Sequence, residues 1–580
     1  MFELDSTRSG KLDDVHLQWS VKIPLRDGIK LNATLYTLRT QQSGSPTIIT
    51  LTPYVGQLWH QFGLYFAAHG YPFLAVDVRG RGNSEGVFRP NLSEALDGHD
   101  VVEWVAQQSF CNGQVAMWGG SYAAHAQWAT IKDLPPHLAT IVPVAAPFMG
   151  VDMPMQGNIC APYVMQWLTL VSGRTSQDRL FFDSERFWGS QYRQFFESGR
   201  PFRDLDTVLG NPSSIFQEWI SHPHQDTYWD NHNPTAEQYA AVTLPVLTIT
   251  GYYDGDQPGA LTHYRQHLKH AGPAARHYLI IGPWDHFGTR TPRAEFCGLK
   301  IGLAGLLDIQ QVHLHWYAWT MQGGSKPEFL KEKVAYYVMV LEKWRYAGSL
   351  DGATARAVPF YLSSHGNPTD VFHSGSLTPE VPETADPDWY RYDPRDISTA
   401  ALEATVDPED RTDQRMMLAC NGKQLVYHSA PFERDTEISG FFRASLWLAI
   451  DTPDTDFRIV VYDIALDGTA VLVSADAVRA RYRESLREPE LIRTQDPLKY
   501  DFERFAFVSR LIRRGNRLRV VIGPINSIYS QKNYNSGAPI SDETLDQAQA
   551  VTVRLYHDRT HPSALYIPLA HEEPDAPEAQ

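Results

Sequence analysis

The chain has 580 residues, 43% of them hydrophobic and 12% aromatic against 20% charged, which excludes a disordered or fibrous protein and leaves room for more than one core. Its formal net charge of −16 is spread along the whole length and excludes the clustered basic surface that nucleic acid rewards. Four cysteines, Cys111, Cys160, Cys297 and Cys420, lie far apart with no CxxC or Cys/His spacing; neither a zinc site nor a disulfide framework is expected, and a reducing, cytoplasmic setting fits.

The opening MFELDSTRSGKLDDVHLQWS has neither the basic nor the apolar stretch of a secretory signal, and no run approaches 18 apolar residues, so no membrane partner is expected. From about residue 15 to 145, short apolar runs alternate with amphipathic stretches, the pattern of strands joined by crossover helices in a mainly parallel sheet. Strands are predicted at 46–51, 72–78, 114–117 and 138–145, with helices at 58–69, 96–107 and 122–131. Between 150 and 240 the alternation stops and aromatic residues multiply, which predicts a helical insertion. Its Trp167, Phe181, Phe182, Phe187, Trp188, Tyr192 and Phe195 can pack those helices together or line an apolar pocket.

The parallel pattern resumes with a strand at 244–250, a helix ending near 270 and a strand at 277–281. Beyond about 335, short alternating segments such as SLWLAI and FRIVVYDI are separated by turn signals at Asn421-Gly422, Asp467-Gly468 and Gly515-Asn516, which predicts an all-β sandwich or jelly roll. The acidic HEEPDAPEAQ at 571–580 reads as a loose tail.

The string QVAMWGGSYAAH carries the most chemistry, because a strand ends at Gly119-Gly120, Ser121 follows and a helix begins. A sharp strand-to-helix turn projects a Ser hydroxyl into a cleft beside backbone N–H donors, which a weak nucleophile needs; an ordinary βα turn with a Ser N-cap has the same letters. A nucleophilic Ser needs an acid and a His after it at later strand ends, and Asp254 in GYYDGD and His286 in GPWDHFG stand there in that order. Asp256 and Asp285 compete for the acid's role, but Asp256 is farther from the strand end and Asp285 adjoins His286, whose side chain should diverge from it. Oxyanion donors are expected from the Tyr122 backbone N–H and from Tyr54 in LTPYVGQ, although an aromatic at that strand end can also serve packing alone. The Gly-rich DVRGRGNSEG lacks the Lys-Ser/Thr ending of a phosphate loop and reads as a structural loop with Asp77 and Arg79 in ion pairs.

Taken together, DVRGRGNSEG, WGGSYAAH, GYYDGD, GPWDH, TPDTDFRIVVYDIALDG, AVRARYRES and NYNSG resemble the CocE/NonD family, or peptidase family S15, which groups cocaine esterase, α-amino-acid ester hydrolases and X-Pro dipeptidyl-peptidases; the match runs from about 16 to 565. The resemblance implies an α/β-hydrolase domain over 1–149 and 241–335, a helical cap over 150–240 and a C-terminal jelly roll over 336–570. It implies a triad of Ser121, Asp254 and His286, an oxyanion hole of Tyr54 and Tyr122, and no cofactor or metal. Ala124 stands where the family elbow usually has Gly. In the amino-acid ester hydrolases an Asp-x-Glu-Asp stretch beginning at the triad acid helps to hold an ammonium group; here it reads Asp254-Gly255-Asp256-Gln257, with one cluster acid kept and one neutral. Asp256 and the cap residue Trp167 are therefore the substrate-binding candidates, and Asp152 could add a charge.

The sequence thus leads to a serine hydrolase acting on a small ester or short peptide. An X-Pro dipeptidyl-peptidase, an amino-acid ester hydrolase or β-lactam acylase, a biosynthetic transacylase and a non-catalytic binding protein on a hydrolase scaffold stand as alternatives. A homodimer supported by the β domain is compatible with the sequence.

Overall fold

The structure is a computed structural model that describes residues 14–176, 182–383 and 385–571; Phe181 and all but the first residue of the acidic tail lie outside these ranges. Ten strands form one sheet: β1 (Val15–Pro24), β2 (Lys30–Leu38), β3 (Ser45–Thr52), β4 (Phe73–Asp77), β5 (Cys111–Gly120), β6 (Leu138–Val144), β7 (Val246–Tyr253), β8 (His277–Asp285), β9 (Val334–Val338) and β10 (Lys343–Ala347). Their order is β1-β2-β4-β3-β5-β6-β7-β8-β9-β10, parallel from β4 to β9 and antiparallel at both ends. The central strands are buried nearly end to end because helices cover both faces, which is why their sequences read as unbroken apolar runs.

Two expectations are corrected. β7 and β8 run further than their apolar cores, since Gly251 pairs with Gly282 and Tyr253 with Asp285 in one parallel register. That register brings the loops after both strands to the same level. The domain boundary expected at 335/336 falls inside β9, and β10 then closes the hydrolase sheet as an antiparallel edge. The edge strand KWRYA is short and partly exposed, so its letters resemble those of the β strands that follow.

The cap inserted between β6 and β7 contains helices Tyr163–Leu170, Glu185–Ser198 and Ser214–Ile220. It shares a continuous hydrophobic core with the sheet's helices, in which Trp167 and Trp219 join Tyr122 and Trp128. The Glu185–Ser198 helix turns its buried face to the β domain, packing Trp188, Tyr192 and Phe196 against Ala400 and Ile528. Most cap aromatics in the described residues are thus packing residues, with Tyr163 and Phe187 the exposed ones.

The C-terminal jelly-roll domain runs from the strand Arg356–Ser363 to the strand Ala564–Leu569 around its own core. Buried ion pairs tie it to the cap. Arg479 makes a two-pronged pair with Asp456 at 2.8 and 3.0 Å and donates to the carbonyl of cap residue Asn158 at 3.0 Å. Arg481 pairs with Asp454 at 2.8 Å, and the Asn533 amide bridges Asp454 and Asp456. Burying an Arg costs several kcal/mol unless its donors are matched, and these carboxylates and carbonyls match them.

Candidate active site

Ser121 sits between the end of β5 and the helix Tyr122–Thr130 with φ +61° and ψ −126°, a conformation that L-residues rarely adopt. Its backbone N–H donates to the Val144 carbonyl at 3.0 Å, which anchors the turn to β6. Gly119 and Gly120 are required by contact: a Cβ on Gly119 would meet the Ala123 Cβ at 2.6 Å, and one on Gly120 would overlap the Arg290 guanidinium. Ala124, where the family elbow has Gly, fits without exposure into the core shared by sheet and cap.

Across the sheet's carboxyl edge, Asp254 and His286 follow β7 and β8. The His286 Nδ1 lies 2.8 Å from Asp254 Oδ1, and the Asp254 side chain is fully buried. Asp254 is held by two further partners, because Oδ1 also accepts the Asp256 N–H at 3.0 Å and Oδ2 accepts the Thr250 hydroxyl at 2.9 Å. Burial works against both charges, but their mutual attraction prevails: Asp254 stays below the usual carboxylate range and His286 is held above the ordinary imidazole value. Asp285 turns elsewhere, accepting the Gly288 N–H at 2.6 Å and pairing with Arg293.

The loop after β3 places the Tyr54 hydroxyl beside the Ser121 side chain. The Trp167 indole N–H donates to the same phenol oxygen at 3.0 Å, and the Ser176 hydroxyl donates to the Tyr54 carbonyl at 2.6 Å. Trp167 is 6% exposed and lies between the stacked rings of Tyr122 and Trp219, so it backs Tyr54 from behind. Tyr122 is likewise fixed: its hydroxyl donates to Glu94 and accepts the Asn91 N–H at 3.1 Å.

The DVRGRGNSEG loop supports this arrangement. The fully buried Arg81 donates to the carbonyl of Pro53, beside Tyr54, at 2.8 Å and to the cap carbonyls of Val171 and Gly173. Arg79 forms the expected ion pairs, with Asp97 at 2.7 Å and Asp27 at 2.8 Å. Asp77 does not share them; it accepts the Gly56 N–H at 2.7 Å and the Asn32 amide at 3.1 Å.

Of the two remaining positions in the acid stretch, Asp256 faces His286 at 3.6 Å, whereas Gln257 faces away. The Gln257 amide donates to the carbonyls of Gly251 and Phe507 at 3.0 Å and accepts the Phe507 N–H at 2.7 Å, locking this loop to the β domain. Asp152, which sequence reasoning could not place, accepts backbone N–H groups of Phe148 and Gly259. Asp152 and Asp256 both line a cavity of about 830 Å³ between the cap and the β domain. Burial and the charge of Asp256 hold Asp152 protonated well above the usual range.

Asp285, Cys297 and Glu409 also bring ligand-type atoms within 4.8 Å of one another. Arg293 pairs with Asp285, and burial followed by Glu409's charge pushes the Cys297 thiol up to about 12. Among the described residues no helix is long and apolar enough to cross a membrane.

Comparison with known proteins agrees with this architecture. Residues 27–288 match the X-Pro dipeptidyl-peptidase (S15 family) model, and residues 316–566 match the X-Pro dipeptidyl-peptidase C-terminal non-catalytic domain. Cocaine esterase of Rhodococcus sp. (strain MB1 Bresler) is 25% identical over 590 residues, covering 95% of this chain and 98% of the relative. An aminopeptidase from a marine sediment Thaumarchaeota archaeon shares the fold with a TM-score of 0.83 at 20% identity, over 98% of both chains. An α-amino acid ester hydrolase does so with a TM-score of 0.82 at 20% identity, over 96% of this chain and 97% of the other. With both halves matched in chain order and the curated relative aligned nearly end to end, the chain belongs to the CocE/NonD-type hydrolases of the peptidase S15 group.

Proposed function

We propose that this protein cleaves a carboxylic ester or amide through an acyl-enzyme on Ser121, with His286 as general base and Asp254 as its orienting acid. The observation that carries this is the 2.8 Å contact between His286 Nδ1 and the buried Asp254. It commits Nδ1 and leaves Nε2 to take the Ser121 proton during attack and return it to the leaving group. The Tyr54 hydroxyl and the Tyr122 backbone N–H then hold the oxyanion, and water repeats the attack to release the acyl group. No cofactor enters any of these steps.

Mass spectrometry after brief exposure to p-nitrophenyl acyl esters tests the assignment. Wild type should show turnover through a transient adduct on Ser121, and Ser121→Ala should show neither. Undiminished turnover by Ser121→Ala would overturn it, and an adduct that persists until an amine or alcohol is added would identify a transacylase.

A second reading is favoured by one observation: Asp152 and Asp256 line the same cavity, and the charge of Asp256 reaches Asp152. An ionised Asp256 beside a protonated Asp152 offers one charge and further acceptor oxygens, which suits a substrate with a free α-ammonium, as an amino-acid ester hydrolase or dipeptidyl-peptidase would bind. Comparing kcat/KM for aminoacyl and simple acyl esters with the same leaving group separates the two, since only an ammonium site favours the aminoacyl ester.

A further inference from the structure

His286 is flanked by two carboxylates. Nδ1 lies 2.8 Å from Asp254 Oδ1 and 3.6 Å from Asp256 Oδ2, the two acids coming from one loop two residues apart. The turn itself creates this arrangement. The Asp256 backbone N–H donates to Asp254 Oδ1, which folds the chain back so that both side chains converge on the same edge of the imidazole. The Gln257 amide, clamped to Phe507, then fixes the residue after Asp256.

We propose that Asp256 is a positioning residue for the general base, a second acid that holds the Nδ1 edge of His286 and stabilises the imidazolium formed at each proton transfer. The proton itself moves only between Ser121 Oγ, Nε2 and the leaving group; Asp254, and Asp256 where it is ionised, act by charge alone and receive nothing. This rests on Ser121, His286 and Asp254 acting as proposed above, and it gives Asp256 a role that does not need a charged substrate.

The surroundings set when this second charge is present. Asp256 is faced by Asp254, by Asp152 from the cap and by the phenols of Tyr54 and Tyr163, while Arg290 from the His286 loop opposes these acids. Glu409 adds a carboxylate toward His286 from the β domain. Burial first, and Asp254's charge after it, push Asp256 up to about 7. The second acid therefore gains its charge near neutrality, and the charge on His286 and that on Asp256 are interdependent.

The test uses a neutral p-nitrophenyl acyl ester, which has no ammonium for Asp256 to bind, and follows kcat/KM against pH for wild type, Asp256→Asn, Asp256→Ser and Asp256→Glu. Removing the charge in Asp256→Asn or Asp256→Ser should move the acid limb to lower pH by about half a unit to one unit and reduce the plateau kcat with KM little changed. Asp256→Glu should restore the limb. The two neutral variants differ in size and hydrogen bonding, so either one that folds, judged by its melting temperature, gives the answer. Profiles that superimpose on wild type with the neutral ester, accompanied by a raised KM for aminoacyl esters alone, would overturn the proposal and leave Asp256 as a substrate contact. Failure of the underlying triad is separate, because Ser121→Ala would then retain turnover whatever Asp256 does.

Discussion

The indole N–H of Trp167 donates to the phenol oxygen of Tyr54 at 3.0 Å, so a cap residue holds the oxygen of an active-site hydroxyl in place. The indole occupies one lone pair of that oxygen and leaves the Tyr54 O–H, beside Ser121, available as the oxyanion donor proposed above.

Tyr54→Phe should therefore lower kcat by about 100-fold with little change in KM, the loss of one oxyanion donor. Trp167→Phe keeps the ring stacked between Tyr122 and Trp219, and its effect should be about fivefold on kcat, roughly 1 kcal/mol for one hydrogen bond. Steady-state kinetics on a p-nitrophenyl ester distinguish these from a substrate-contact role, in which Trp167→Phe would raise KM and leave kcat alone.

Asp254→Asn should preserve the packing of the loop while destroying the electrostatic preference for an imidazolium. Turnover should fall by about 10³–10⁴-fold, as when a triad acid is neutralised. Rapid labelling of this variant by a fluorophosphonate at wild-type rate would show that another acid orients His286.

Arg479→Leu should destabilise the whole chain by about 3–5 kcal/mol, because it leaves Asp456 buried without its partner and frees the Asn158 carbonyl of the cap. Calorimetry checks this, and a melting temperature within a degree of wild type would contradict it.

Acid should unfold the protein through its buried histidines. Burial depresses His125 and His313 to about 3 and His232 to about 4, and none of the three is more than 1% exposed. A folded-state value below the unfolded one gives stability that is complete above pH ~6.5 and is lost as pH falls toward 4, each histidine losing at most about 1.4 kcal/mol for every pH unit descended in that window. Among the described residues neither ring nitrogen of His313 has a hydrogen-bond partner, and the ring packs against Phe66 and Trp118. His313→Phe should therefore flatten the fall in melting temperature between pH 6.5 and 4; an unchanged slope would remove His313 from this account.

The elbow was legible because much of its constraint is local: Gly119 faces Ala123 four residues on and the positive φ of Ser121 belongs to the turn itself, whereas the fit of Gly120 against Arg290 is not seen in the sequence. Asp254 and His286 were legible because parallel strands in register end at one level, and an acid and a base just past two such ends must lie close. What escaped depended on distant partners. Gln257 reads as a missing acid until Phe507, 250 residues on, takes up its amide. Trp167 reads as a pocket aromatic until its N–H is seen on Tyr54, and nothing in the Gly-rich loop's letters singles out Arg81, whose guanidinium grips carbonyls of both the Tyr54 loop and the cap. The boundary near 335 was misplaced because an antiparallel edge strand carries the same alternation whichever sheet it joins.

The Gln257 clamp bears on how far the chain can be taken apart. Its amide closes hydrogen bonds with both the N–H and the carbonyl of Phe507 and is itself fully buried, so excising the C-terminal half would expose an unsatisfied amide directly behind Asp254 and Asp256. The half that contains no nucleophile is in this sense the foundation on which the acid loop stands. A hydrolase fragment ending at the last strand of its sheet would keep the nucleophile turn and lose the fixed height of its acids.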